Sequence, residues 1–308
     1  MISSAATAVP PDHLSPPTCN FFECDYSVGG VSVRASSADA ELLRCAALRK
    51  FASARASEAQ LDLAVRWVPK LESPSAAPDF DSGGVWRLYR QGRSLGFDFQ
   101  SSILGSRPYK RALVDESLSH GEILVSRECF PGAPPNALEY PLDEVLVLHK
   151  LAKLDGLELH ACGVIDASGT ARLFVGHSGD GKSTLSRLWA QRPGVSILSD
   201  DRIIVRHQDR RLWMYGTPWH GDAGFANPLR TQLGAIFILA HGRENQITPL
   251  AAAPAAAQLF ARSFPVFHDG DALASHAALL SDVVASVPCY RFSFLPETSC
   301  IEMVLTCC

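Results

Sequence analysis

No stretch of the sequence offers the roughly 18 consecutive charge-free apolar residues that a membrane-spanning helix needs. Residues 1–18, MISSAATAVPPDHLSPPT, lack the basic start and apolar centre of a secretory signal. A soluble, cytoplasmic chain with no membrane partner is therefore expected. Concentrated positive charge is missing as well, since 28 basic residues stand against 32 acidic ones, a formal charge of -4. Affinity for a phosphate backbone comes from clustered Lys and Arg, so no nucleic-acid partner is expected. The nine cysteines (Cys19, Cys24, Cys45, Cys129, Cys162, Cys289, Cys300, Cys307 and Cys308) are odd in number and show neither CxxC nor His-paired spacing. That argues against a disulfide framework and against a zinc site. They read as reduced thiols, several in buried strands, with Cys307-Cys308 in a frayed tail. No repeat of some 20–50 residues is present, which excludes solenoids and propellers.

What the chain does have is apolar content, 47% of 308 residues, enough for one large or two medium domains. Residues 1–18, rich in Pro, Ser and Ala, read as a disordered tail. Residues 19–137 read as a smaller mixed α/β accessory domain. FFECDYSV and VSVRAS suggest a strand pair across Gly29-Gly30, ADAELLRCAALRKFASA a helix, and LDLAVRWV a strand. VWRLYRQGRSLGFDFQ reads as a hairpin, followed by strands in YKRALVDES and GEILVSRE. Pro131, Gly132, Pro134 and Pro135 mark a linker.

Residues 138–308 open with an amphipathic helix, LDEVLVLHKLAKLDG, ended by Gly156, and continue into the strand LELHACGVIDASG. ARLFVG and KSTLSRLWAQR predict a strand and a helix around a glycine-rich turn. VSILSDD, RIIVRHQ, RLWMYGTP and LGAIFILA predict strands, the last with the uniform apolar character of a central one. AAAPAAAQLFARSF and GDALASHAALLSDVVAS predict helices, and CYRFSFL and CIEMVLT predict closing strands.

The turn carries the strongest chemical signal. Gly176, His177, Ser178, Gly179, Asp180, Gly181, Lys182 and Ser183, followed by Thr184, satisfy G-x-x-x-x-G-K-[ST] between a strand and a helix. Glycines let several backbone N–H groups turn toward one anion, and the helix start adds its positive dipole end. Lys182 is expected to reach the outer phosphates of ATP, and the Ser183 hydroxyl to ligate Mg²⁺. An unliganded Gly-rich turn is the bland alternative.

Eighteen residues after Lys182, Asp200 and Asp201 end an apolar strand. One such carboxylate can hold Mg²⁺ and the other can accept a hydroxyl proton, although Asp pairs also serve turns. His160 lies on the strand before the loop strand, where a hairpin would bring it near the transferred phosphate; a lone strand His is more often structural. The segment GTPWHGDAG crowds Trp219, His220 and Asp222 among turn residues, as ligand-facing loops do. Arg230 follows it and is a candidate for neutralising phosphate charge, or a plain surface residue.

In this order, His160-Ala-Cys-Gly-Val-Ile-Asp166, the Gly176–Ser183 loop and Ser199-Asp200-Asp201 resemble the catalytic domain of the HPr kinase/phosphorylase family. The resemblance covers about residues 157–206. It implies an α/β, P-loop kinase domain of the HPr kinase/phosphoenolpyruvate carboxykinase type, preceded by the smaller N-terminal domain. It further implies catalytic roles for His160, Lys182, Asp200 and Asp201, with Asp201 as base toward a serine hydroxyl and Asp200 near the metal. His177 stands where the family has Asp, and GTPWHGDAG stands where the family has Leu-Glu-Ile-Arg-Gly-Leu-Gly. The pattern is similar to HPr-kinase-related tailoring kinases of ribosomal peptides, lasso peptides included. That likeness implies a peptide or small-protein serine as acceptor, with Trp219, His220, Asp222 and Arg230 around it, and an oligomeric protein. A nucleotide-binding regulatory module and a plain NTPase are the other readings of the same loop.

Overall fold

The computed structural model describes residues 21–54, 59–132 and 135–307. The tail expected over residues 1–18, with Cys19, Cys308 and Pro134, lies outside them.

The first unit is built by strands β1 (Phe22–Val28), β2 (Val31–Ser37), β3 (Leu61–Val68), β4 (Phe80–Asp81), β5 (Trp86–Gln91), β6 (Ser94–Ser101), β7 (Gly105–Asp115) and β8 (His120–Ser126). They form one sheet in the order β1-β2-β3-β8-β7-β6-β5-β4. β3 runs parallel to both β2 and β8, and the other neighbours are antiparallel. Period-two alternation in β2, where Val31, Val33 and Ala35 are buried, turns one face toward a core.

The helix expected over residues 38–54 is instead two 3-10 turns, Ala40–Leu43 and Ala47–Phe51. The Leu42 carbonyl accepts from Ala137 N–H at 2.9 Å. Spent on a distant segment, it is lost to a helical ladder, and the chain bends between Leu43 and Ala46 while still burying Leu42, Leu48 and Phe51.

The second unit begins with helix α1 (Leu142–Leu151), which stops before Gly156; that glycine opens β9 (Gly156–Ile165). Then follow β10 (Ala171–Val175), α2 (Lys182–Ala190), β11 (Ser196–Ser199), β12 (Arg202–Gln208), β13 (Arg211–Gly216), β14 (Arg230–Gln232), β15 (Ala235–Ala240), β16 (Gln246–Pro249), α3 (Ala252–Phe260), α4 (Gly270–Ser286), β17 (Cys289–Ser293) and α5 (Ser299–Cys307). The sheet order is β14-β13-β12-β9-β10-β15-β17-β16, and β11 pairs with the far half of β9. β10, β15 and β17 are mutually parallel neighbours at its centre.

Successive residues of the central strands face opposite layers. Leu173, Val175, Ile236 and Ile238 pack with Leu259 of α3 and Leu280 and Val283 of α4. Phe174, Phe237 and Leu239 pack on the other face with Leu185 and Trp189 of α2 and Ile301 and Val304 of α5. The segment CIEMVLT, expected as a strand, is α5. Its buried Cys300, Ile301 and Val304 fall on one side of a helix, and that burial overrides the strand preference of Ile, Val and Thr.

Helix α1 faces the first unit. Leu142, Val145, Leu146 and Leu151 join the core of the first sheet, and Ile204, Tyr215 and Trp219 of the second unit belong to the same core. The Gly29-Gly30 turn completes this junction: Arg206 Nη1 donates to the Gly29 carbonyl at 3.0 Å, and both glycines hold positive φ against the Ile204 and Arg206 side chains. No helix among the described residues is long and apolar enough to cross a membrane.

Candidate functional site

Strand register brings the loop and the aspartates together. β10 pairs with β9 through Val175 and Ala161, so the chain leaves the sheet at Gly176 beside His160, whose carbonyl accepts from Gly176 N–H at 3.1 Å. On the opposite edge, β9 is paired first by β12 and then by β11, and the break between them is filled by Asp200 and Asp201. Ala161 N–H donates to the Asp201 carbonyl at 3.0 Å. The glycine loop and the Asp pair therefore flank the same two residues of β9.

The loop has the backbone freedom its glycines suggest. Gly179 and Gly181 hold φ of 88° and 94°, and Gly181 stands at the N-terminus of α2 without a side-chain cap. The first amides of that helix are thus open to a ligand. A Cβ on Gly179 would meet nothing within 4 Å, whereas one on Gly181 would come within 2.8 Å of Phe294. Asp180 folds back to accept from His177 N–H at 2.6 Å. Lys182 is buried, and its ammonium donates to the carbonyls of Gly176 and His177 at 3.0 and 2.9 Å. Burial lowers its pKa below the usual lysine range, against the opposing pull of Asp201 and Asp180.

Asp200 is fully buried and fully engaged. Oδ1 accepts from the amides of Gly221 and Phe225 at 3.1 and 3.2 Å, and Oδ2 from Ala223 N–H at 2.9 Å and the Ser183 hydroxyl at 3.3 Å. The carboxylate thereby ties the 221–225 loop to the start of α2. The Ser183 hydroxyl, its hydrogen directed at Asp200, keeps oxygen lone pairs for another partner.

Asp201 is half-exposed and points elsewhere. His160 Nε2 donates to Oδ1 at 2.8 Å, and Arg202 Nη1 pairs with Oδ2. Burial acts to raise its pKa, but the hydrogen bond from His160 and the charges of Arg202, His160 and Lys182 outweigh it and hold the carboxyl below its usual value. Arg202 also meets Glu144 of α1 at 3.1 Å and Glu158 at 3.4 Å, and its guanidinium lies over the Phe264 ring at 4.3 Å. Burial, followed by the neighbouring Glu144, pushes Glu158 well above the ordinary carboxylate range.

A cleft of about 460 Å³ opens over these groups, lined by His160, the loop and first turn of α2, Asp201, Gly221 and Asp222. It also contains Arg187, whose Nη2 donates to the Asp222 carbonyl at 3.0 Å. Arg187 stands one turn beyond Ser183 on α2; that i, i+4 spacing was the available signal for a cation beside the loop. Arg202 and the buried Glu144–Glu158 pair were likewise unmarked by any motif. Trp219 and His220 line a second cleft that touches the first at Asp201. Arg230 is not among the residues lining either one. It sits on β14, its guanidinium 4.7 Å above the Trp213 ring and Nη1 3.2 Å from the Tyr215 hydroxyl, so the expected role near transferred phosphate is not supported by its position. No cluster of three or more His, Cys, Asp or Glu suited to a metal ion occurs among the described residues.

No protein-family model matches the chain. No curated protein matches it either. Among solved structures, the Hpr(Ser) kinase/phosphatase from Coxiella burnetii is similar to it at 14% identity and a TM-score of 0.30, over 48% of this chain and 93% of that one. This is a distant likeness, confined to half of a mixed α/β chain.

Proposed function

We propose that the protein is an ATP-dependent serine kinase, a phosphotransferase that moves the γ-phosphate of ATP to a serine hydroxyl of a peptide or small protein. The observation that carries this reading is the convergence of the Gly176–Thr184 loop and Asp201 on either side of His160-Ala161. In it, the open amides at the start of α2 bind the triphosphate, and Lys182 leaves the Gly176 and His177 carbonyls to meet its outer oxygens.

The residues fit a divalent cation in the manner of a loop serine: Ser183 would hold it through free lone pairs, and Asp200 would act through the Ser183 hydroxyl, its own oxygens being taken. Mg²⁺ bound there would supply charge neutralisation for the phosphate oxygens. Arg187 adds a fixed positive charge on the same cleft. Asp201, ionised and oriented by His160, takes the proton of the attacking hydroxyl. Positioning and electrostatics then account for the rate, as phosphoryl transfer requires.

Incubation with γ-labelled ATP, Mg²⁺ and candidate peptides, followed by mass spectrometry, tests this. A phosphate added to serine supports it. Nucleotide-dependent partner binding without labelled product points to a regulatory module, and steady phosphate release without an acceptor points to an NTPase.

A further inference from the structure

The second cleft, about 630 Å³, shares Asp201 with the loop cleft and no other lining residue. Its walls come from three parts of the chain: Arg44–Ala47 between the 3-10 turns of the first unit, the segment from Asn136 to Asp143, and Arg202 with Pro218–His220 of the second unit. No residue of the first unit lines the loop cleft, whereas Arg44–Ala47 form one wall of this second space.

The walls combine apolar surface with charged groups that are engaged within the protein. Ala46, Ala47, Tyr140, Pro218 and Trp219 present apolar surface. Each charged group lining the cleft already has a partner, Asp201 included. Arg44 pairs with Glu41 at 2.5 Å, Glu139 meets the buried Lys110 at 3.6 Å, and Arg202 is held by Glu144, Glu158 and Asp201. Asp143 is buried and accepts from Trp219 Nε1 at 2.8 Å. A charged ligand group entering here would have to compete with these existing pairs for a counter-charge, whereas an apolar group has only water to displace. The volume lies within the range of about 300–1,000 Å³ typical of sites that enclose a whole ligand, so the reacting hydroxyl brings neighbouring groups with it.

We infer that this cleft receives the phosphoacceptor, and that the acceptor is a peptide segment whose residues flanking the serine or threonine are uncharged and apolar. The inference rests on the kinase reading above. The acceptor hydroxyl reaches Asp201 where the two clefts meet. Its proton passes to the Asp201 carboxylate as its oxygen bonds to the γ-phosphorus, and the bond from that phosphorus to the bridging oxygen breaks, releasing ADP.

The test uses the full chain, γ-labelled ATP, Mg²⁺ and a positional-scanning library of end-blocked nonapeptides, each with one serine. Nucleotide binding is titrated separately with a fluorescent ATP analogue. The wild type is expected to prefer apolar over charged flanking residues by about tenfold or more, which is about 1.4 kcal/mol. Ala46→Trp, an exposed substitution that fills the cleft, is expected to raise KM for the best peptide about tenfold while KM for ATP stays within about twofold. Tyr140→Ala, at another wall, should weaken peptide and not nucleotide.

A preference for charged flanks, a peptide KM indifferent to both substitutions, or labelling of small alcohols alone would each overturn the inference while leaving phosphoryl transfer standing. Nucleotide binding with no acceptor labelled would instead remove the kinase reading and this inference with it, as would failure of the unmodified protein to bind the ATP analogue.

Discussion

His160 Nε2 lies 2.8 Å from Asp201 Oδ1, and this contact is the first-ranking influence that keeps Asp201 ionised against burial. With its pKa below the usual aspartate value, the carboxylate remains a base through neutral pH and loses that capacity only as pH falls through the lowered value. Asp201→Asn is expected to cut transfer by about 10²–10⁴-fold while ATP affinity is retained. His160→Ala is expected to let the carboxyl pKa rise, moving the acid limb of kcat/KM to higher pH. Transfer by Asp201→Asn at the wild-type rate would remove Asp201 as the base.

Asp200 works through structure. In Asp200→Ala the amides of Gly221, Ala223 and Phe225 lose their acceptor. An unsatisfied buried donor costs about 1–3 kcal/mol, so a clear fall in Tm is expected, with faster amide exchange confined first to residues 221–225. Ser183→Ala removes only one hydroxyl from the carboxylate's set. It should leave Tm nearly unchanged and raise the Mg²⁺ concentration needed for half-maximal transfer.

Gly181 is the loop position where a side chain is least tolerable. Its φ is 94°, and an added Cβ would stand 2.8 Å from the Phe294 ring. Gly181→Ala is expected to lose about 1–2 kcal/mol from backbone strain alone. Thermal denaturation should show part of the total loss restored when Phe294→Leu is added, because the ring contact is relieved and the strain is not.

Asp143 gives a stability term with a definite sign. Burial pushes its pKa from 3.8 up to about 7, with the Trp219 hydrogen bond pulling the other way. Between these values the folded chain keeps a proton that the unfolded chain has released. This contribution is fully present below the unfolded value, declines as pH rises through the window, and is constant above it. Asp143→Asn should remove that slope, gaining up to about 4 kcal/mol relative to wild type between pH 4 and pH 8. His149, brought down to about 3 by burial, acts oppositely, with stability lost as pH falls below its ordinary 6.5. The difference between variant and wild type, measured as Tm against pH, isolates Asp143.

Most strands were legible because burial and period-two alternation coincide in them, as in β2 and β15. The glycine loop was legible because its chemistry is local: flexible backbone, Lys182 and Ser183 within one turn. The sequence placed His160 near the glycine loop only on the condition of a β9–β10 hairpin, and its pairing with Asp201 was not legible because it depends on β12 lying on the other side of β9. Arg187 and Arg202 carried no motif. Arg230 looked suitable by its place after the 216–224 loop, but an edge strand delivers it to Trp213 and Tyr215. The α5 segment misled because Ile, Val and Thr favour strands until a helix face has somewhere to be buried.

The apolar junction at α1 has a practical consequence for anyone dissecting the chain. Ile204, Tyr215 and Trp219 rest against Leu142, Val145 and the strands before them, so a cut near residue 137 severs a shared interior. A fragment starting there would present a greasy flank to water and invite clumping. Inactivity of such a fragment would report on lost solubility before it reported on lost recognition, and point substitutions in the intact polypeptide are the sounder instrument.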